Sequence, residues 1–219
     1  MKFSFPNMIL LISAIAALVI AFVLTSEKKP LRLLEYYGPR EYNTEKKDTD
    51  YHKVLNFKLI DQFEKTVTLD SFHNKIFVTN FFYATCPGIC KKMNYELGIV
   101  AKNFAGNTKV KFISYTVDPI SDSVPVLLEY AKLHDAIPYQ WYFLTGDKNV
   151  IYNLARKSYF VAVEDSGRGN IIHTDNMALI DREHHIRGLY HGTDSADVSR
   201  MVKDINLLLE EEAGHPIDD

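Results

Sequence analysis

From Tyr51 onward the chain alternates between short apolar runs of β-branched and aromatic residues and longer stretches whose apolar positions recur every three or four residues. The first pattern predicts strands and the second predicts helices. Ile76 to Tyr83 predicts a buried strand, and Lys109 to Val117 predicts another, ending at Asp118-Pro119. Asn56 to Ile60 and Thr66 to Leu69 predict short strands around a turn, and Trp141 to Leu144 a further strand. Met177 to Ile180 and Arg187 to Tyr190 predict two strands around the polar turn Asp181-Arg182-Glu183-His184-His185. Helices are predicted over Lys91 to Phe104, over Val124 to His134 behind the cap-like Asp122-Ser123, and over Asp147 to Ser158 with Asp147 as N-cap. A long closing helix is predicted over Asp194 to Glu212, with apolar positions at Val198, Met201, Val202, Ile205, Leu208 and Leu209. Strand–helix alternation that ends in a hairpin and a helix predicts an α/β, three-layer fold of thioredoxin type.

The N-terminus breaks this pattern. Met8 to Leu24 is an uncharged run of 17 residues with Ser13 as its polar member. As a helix it would be about 26 Å long, just enough for a bilayer core. The run reads as a signal peptide or an uncleaved transmembrane anchor, and the anchor is the preferred expectation because Phe22-Val23-Leu24 is too bulky for a small-x-small cleavage site. The expected organisation is an anchor over 1–25, a charged, turn-rich linker over 26–50, the folded domain over 51–213 and a short tail over 214–219. Lys28, Lys29 and Arg32 outnumber Lys2 and would by themselves place the domain inside, although the leading tail is very short.

Composition narrows the function. A net charge of -3 without a basic stripe argues against nucleic acid as a partner. Two cysteines in 219 residues do not make a disulfide scaffold. Cys86 and Cys90 lie in Phe81-Phe82-Tyr83-Ala84-Thr85-Cys86-Pro87-Gly88-Ile89-Cys90, where the predicted strand ends and the predicted helix begins. Thiols four positions apart at a helix start share one face, so they can close on a soft ion or on each other. The plain alternative is two inert buried thiols. Thiolates prefer Cu(I), zinc or iron–sulfur, and two cysteines do not complete the usual four-ligand zinc site. Two sulfurs and one imidazole suffice for Cu(I).

Of the eight histidines, His173 is the best placed for that role. It precedes Thr174-Asp175 and the strand from Met177, and in a thioredoxin-type fold the loop before that strand faces the cysteines. A surface histidine bonded to a nearby carboxylate is the competing reading. His184 and His185 read as a solvated hairpin tip, and His52, His73, His134, His191 and His215 as surface or loop residues. Asp118 ends the strand beside the cysteine strand, where it can order a ligand or simply form the turn before Pro119.

These residues resemble a known family. From about Phe57 to Glu212 the chain is similar to the Sco-type (SenC-type) copper proteins of cytochrome c oxidase assembly. Cys86-Pro87-Gly88-Ile89-Cys90 resembles the family's paired-cysteine site, and Tyr115 to Pro125 its strand-end segment with paired aspartates. Trp141 to Asp147 resembles its next strand and turn, and His173 matches its distant third ligand. The resemblance implies a thioredoxin-like fold and one copper per chain, Cu(I) or Cu(II), held by Cys86, Cys90 and His173 with Asp118 in support. It implies a chaperone that delivers copper to the dinuclear copper centre of an oxidase subunit, with other copper chaperones or thiol reductants as further partners. It also implies a single-pass inner-membrane protein whose soluble domain faces the periplasm, against the charge count. Many members carry a proline after the second cysteine; here Lys91 stands there, and a cation beside the thiols is expected to favour thiolate. The alternative is a thiol–disulfide oxidoreductase in which Cys86 attacks a partner disulfide and Cys90 resolves the intermediate. A peroxidase ranks below both, since no Pro-x-x-x-Thr-x-x-Cys pattern surrounds Cys86.

Overall fold

The computed structural model describes residues 15–16, 33–162 and 174–214. Its centre is a seven-stranded sheet. In chain order the strands of the domain are β1 (Arg40–Asn43), β2 (Asp48–Tyr51), β3 (Lys58–Asp61), β4 (Thr66–Thr68), β5 (Ile76–Phe82), β6 (Val110–Thr116), β7 (Trp141–Thr145), β8 (Asn176–Ile180) and β9 (Ile186–His191). The helices are α1 (Ile89–Asn103), α2 (Val124–Leu133), α3 (Lys148–Asn153) and α4 (Ser195–Gly214). The spatial order β4-β3-β7-β6-β5-β8-β9 places β5 near the middle. β5, β6 and β7 run parallel, while β3 and β8 flank them antiparallel.

All seven residues of β5 are buried, because both faces of the sheet are covered. Ile76, Val78 and Phe82 point to one side, into a core shared with Met93 and Leu97 of α1, Leu127 and Tyr130 of α2, and Met201 and Ile205 of α4. Phe77 and Phe81 point to the other side, packing with Tyr115, Leu144, Ile151 of α3 and the single 3-10 turn Leu69–Phe72. The period-2 alternation of a strand thus separates two apolar layers, giving the three-layer fold.

Three elements depart from the sequence-based expectation. α1 begins at Ile89, two residues early, so Cys90 lies in its first turn. The helix expected over Asp147 to Ser158 is α3 followed by a π-helical segment, Leu154–Ser158. The turn at His184-His185 is not a solvated tip: Asp181 and His185 are buried. Arg187 Nη1 donates to the Asp181 carboxylate at 3.1 Å, and Tyr36 meets the His185 ring edge-on at 5.1 Å. Tyr36 and Tyr51 stack at 4.1 Å and form that cover. In the stretch expected as a linker, β1 and β2 pair as an antiparallel hairpin that runs on to Tyr51.

Among the described residues no helix is long and apolar enough to cross a membrane. The apolar run 8–24 lies outside them apart from Ile15 and Ala16, which are helical.

Candidate metal centre

β5 delivers the chain to the carboxyl edge of the parallel strands, where crevices form in open α/β sheets. Its last rung is Val117 N–H to the Phe82 carbonyl, 2.8 Å. The chain then turns, with the Cys86 N–H donating to the Tyr83 carbonyl at 3.2 Å. Gly88 caps α1, its carbonyl accepting the N–H groups of Lys91 and Lys92 at 3.1 and 3.3 Å. The first N–H groups of a helix lack intrahelical partners. Here the Cys90 N–H finds one in Cys86 Sγ at 3.4 Å. The helix N-terminus therefore holds the first sulfur while the second sits on its first turn.

Both thiols are free and buried, Cys86 at 3% and Cys90 at 1% exposure. They are not equivalent. Burial pushes Cys86 up, but hydrogen bonds from the Cys90 thiol, the Gly88 and Cys90 backbone and the Tyr83 hydroxyl outweigh it and hold the thiol below the usual value. At Cys90 burial prevails, pushing the thiol up to about 12, and its bond to the Cys86 sulfur adds to the rise. Hydrogen bonds, rather than the Lys91 cation anticipated from sequence, lead the stabilisation of the Cys86 thiolate.

The other predicted residues sort as follows. Asp118 stands at the end of β6, where its carboxylate accepts the Ser121 N–H at 3.4 Å and its own N–H donates to Thr116 Oγ1 at 3.0 Å. His173 lies outside the described residues. The strand it precedes runs beside the cysteine strand, with Met177 opposite Asn80 of β5. Among the described residues no group of three His, Cys, Asp or Glu side chains is placed to hold a metal ion. The two sulfurs form a soft donor pair, and a thiophilic ion fits that donor set.

Two features escaped the sequence. Asp122, read there as part of a helix cap, is buried at 1%, and its carboxylate turns back to accept the Ala84 N–H at 3.0 Å. Behind Cys90, a chain of buried polar groups crosses from sheet to helices. Trp141 Nε1 donates to Ser114 Oγ at 2.9 Å, Ser114 Oγ to Asn80 Oδ1 at 2.6 Å, Asn80 Nδ2 to Asn94 Oδ1 at 2.7 Å, and Asn94 Nδ2 to the Tyr130 hydroxyl at 3.1 Å. Asn80 inside an apolar strand was the available signal, since a buried amide needs partners.

Fold and site together define a class: a thioredoxin-like protein with a buried cysteine pair at the junction of its central strand and first helix. The SCO1/SenC family model matches residues 45–210, and the chain belongs to that family. The SCO1 protein homolog of Bacillus subtilis (strain 168) is 26% identical over 162 residues, covering 73% of this chain and 84% of that protein. BsSco, a member of the Sco family of cytochrome c oxidase assembly proteins in which a disulfide switch was identified, superposes with a TM-score of 0.64 at 25% identity. That match covers 71% of this chain and 92% of BsSco. Arabidopsis thaliana ScoI, solved with copper bound, gives a TM-score of 0.60 at 25% identity over 72% of this chain and 98% of its own.

Proposed function

We propose that this protein carries one copper ion as cargo on Cys86, Cys90 and His173 and delivers it to the dinuclear copper centre of a cytochrome c oxidase subunit during assembly. The observation that carries the reading is the geometry of the sulfur pair: two soft donors, buried together, one seated on the N–H of the other. Family membership and the copper-bound ScoI relative support the choice of metal. Cys86 and Cys90 hold the ion, and His173 supplies the third donor from the segment leading into β8. Asp118 supports the site from the neighbouring loop. Transfer runs by ligand exchange, a partner's donors replacing these three in turn, so the ion is never released bare. Oxidation of the two thiols to a disulfide removes both sulfur donors and switches the site off. In this reading the run 8–24 anchors the protein in the inner membrane, 26–50 spaces the domain, and the domain from residue 51 works on the periplasmic side.

The inequality of the two thiols favours a second reading, thiol–disulfide exchange. Cys86, the thiol with the lowered pKa, attacks a partner disulfide, and Cys90 resolves the mixed disulfide. His173 separates the two, because three-coordinate copper binding needs it and exchange does not. The deciding experiment is a copper titration of the reduced protein beside its His173→Ala variant. One tightly held copper per chain, weakened in the variant, is the outcome expected of the chaperone. No tight copper in either protein, with a Cys86–Cys90 disulfide that exchanges readily with small thiols, would replace it with the oxidoreductase.

A further inference from the structure

The loop that follows β6 is tied to the cysteine loop through one carboxylate. Asp122 Oδ2 accepts two hydrogen bonds at once, from the Ala84 N–H and from the Thr116 hydroxyl. The Thr116 oxygen itself accepts the Asp118 N–H at 3.0 Å, and the Asp118 carbonyl accepts the Asp122 N–H at 2.8 Å. The backbone N–H groups in this chain can only donate, and the ionised Asp122 carboxylate can only accept, which sets the direction of each bond. Ala84 is two residues before Cys86 and lies past the last rung of β5, so no strand neighbour receives its N–H. A carboxylate brought in from another loop takes that place.

A capping role does not account for this arrangement. α2 begins behind Ser123, and the Asp122 side chain faces the cysteine loop instead of the helix. A buried carboxylate is costly unless its acceptors are used, and this one is used to fix the exit of the central strand. The exit determines where Cys86 Sγ sits relative to the Cys90 N–H.

We propose that Asp122 is a positioning residue for the Cys86–Cys90 pair, holding the loop in the arrangement that favours the dithiol over the disulfide and presents both sulfurs together. The inference rests on the reading of this pair as the working site. It does not depend on copper, because the thiol–disulfide equilibrium of the pair can be measured without metal. In that equilibrium the two thiols react with one oxidised glutathione, forming one internal S–S bond and releasing two reduced glutathiones. Asp122 touches neither sulfur; it acts through Ala84.

The test uses the full chain equilibrated in glutathione buffers of graded ratio, for the native protein, Asp122→Ala, Asp122→Asn and Thr116→Val. Asp122→Ala is expected to move the equilibrium about tenfold toward the disulfide, which for two electrons is about 30 mV. Asp122→Asn is expected to stay within about twofold of native, because an amide oxygen can still accept from Ala84 and Thr116. In parallel, Asp122→Ala is expected to lose Cu(I) to a chromophoric chelator about tenfold more readily, one such factor being 1.4 kcal/mol. An unchanged glutathione equilibrium in Asp122→Ala, even with a lowered Tm, would reduce Asp122 to a structural residue and overturn the proposal. So would an Asp122→Asn protein that behaves like Asp122→Ala. If Asp122→Ala does not fold, Thr116→Val decides: it keeps the Ala84 bond and is expected to shift the equilibrium about threefold in the same direction. No shift there overturns the proposal as well. A native protein that binds no copper would sink the chaperone reading and leave this equilibrium test intact.

Discussion

At the scale of single residues, the site depends on how differently two chemically identical thiols are treated. Cys86 lies ahead of the helix and collects donors; Cys90 lies inside the first turn and is buried among Met93, Phe82 and Tyr130. Burial and the neighbouring sulfur keep Cys90 protonated up to about 12, so near neutral pH the pair has one nucleophile. Brief treatment of the reduced protein with iodoacetamide at pH 7.5, followed by peptide mass spectrometry, should therefore find the label on Cys86 and at least about tenfold less on Cys90. Equal labelling would contradict the hydrogen-bond assignment. The spacing of the cysteines was legible in the sequence, because four positions at a helix start set a common face. Their inequality was not, because it arises from the burial of Cys90 and from the donors gathered on Cys86, first the Cys90 thiol, then the Gly88 and Cys90 backbone and the Tyr83 hydroxyl, whose placement is decided by where the helix begins. Pro87-Gly88 reads locally as a turn and hid the two extra helical residues. Asp122 was hidden for the same kind of reason: its neighbour Ser123 and the apolar run behind it read as a cap, while its real partner, Ala84, lies 38 positions away.

At the scale of elements, the start of β8 is held as firmly as the exit of β5. The Asp175 carbonyl accepts the Gly192 N–H at 2.8 Å, and its carboxylate accepts the Thr193 N–H at 3.1 Å and the Thr193 hydroxyl. Its other oxygen faces His191 Nδ1 at 3.1 Å. The turn from β9 into α4 can come this close because residue 192 has no side chain. A Cβ there would stand 2.5 Å from the Met177 methyl, 2.7 Å from Met93 Cγ and 3.0 Å from the Asp175 carbonyl. The methyl can swing away, but the carbonyl and the inner carbon of Met93 cannot do so without moving β8 or α1. Gly192→Ala is expected to cost about 1–3 kcal/mol in urea unfolding, as overpacking does elsewhere. A loss below about 0.5 kcal/mol would show that the turn is looser than its contacts imply. Strand identity was readable along most of the sheet, since β5, β6 and β7 carry long apolar, β-branched or aromatic runs. The packing of Gly192 on Met93 and Met177 was not, because it joins three elements that are far apart in the chain.

At the scale of the whole molecule, the histidines set the acid limit. Nε2 of His134 and of His184 is buried without a hydrogen-bond partner among the described residues. Burial holds both imidazoles below the usual value of 6.5. A base whose folded pKa is depressed takes up its proton first in the unfolded chain, so stability is full above about 6.5 and falls as pH drops toward the folded values. Asp181 adds a later loss. Burial raises it, but the bonds from His185 and the Arg187 guanidinium hold it below 3.8 overall, so its contribution disappears only as pH falls below that range. Thermal melts should be flat from pH 8 to 7 and decline from about pH 6.5, by about 2–4 °C for each kcal/mol lost. A His134→Gln, His184→Gln protein should show a shallower decline, and an unchanged slope would clear both residues of the role. The polar run 181–185 predicted a wet turn. What the local pattern lacked was Tyr36 and Tyr51, which arrive from the other end of the domain and cover it.

Trp141 is the chain's single tryptophan, and it stands at one end of the hydrogen-bonded row that runs through Ser114, Asn80 and Asn94 to Tyr130. The Tyr130 hydroxyl at the far end is governed by burial and by its bond to Asn94, and after these by the charges of Cys90, Cys86 and Asp122. The molecule thus carries a native fluorophore joined by side-chain hydrogen bonds to a tyrosine that feels the charge of the sulfur pair. Its emission is expected to change when the thiols are oxidised, in the unlabelled protein and in the company of any partner that lacks tryptophan, and an identical spectrum before and after oxidation would show that the row does not report on them.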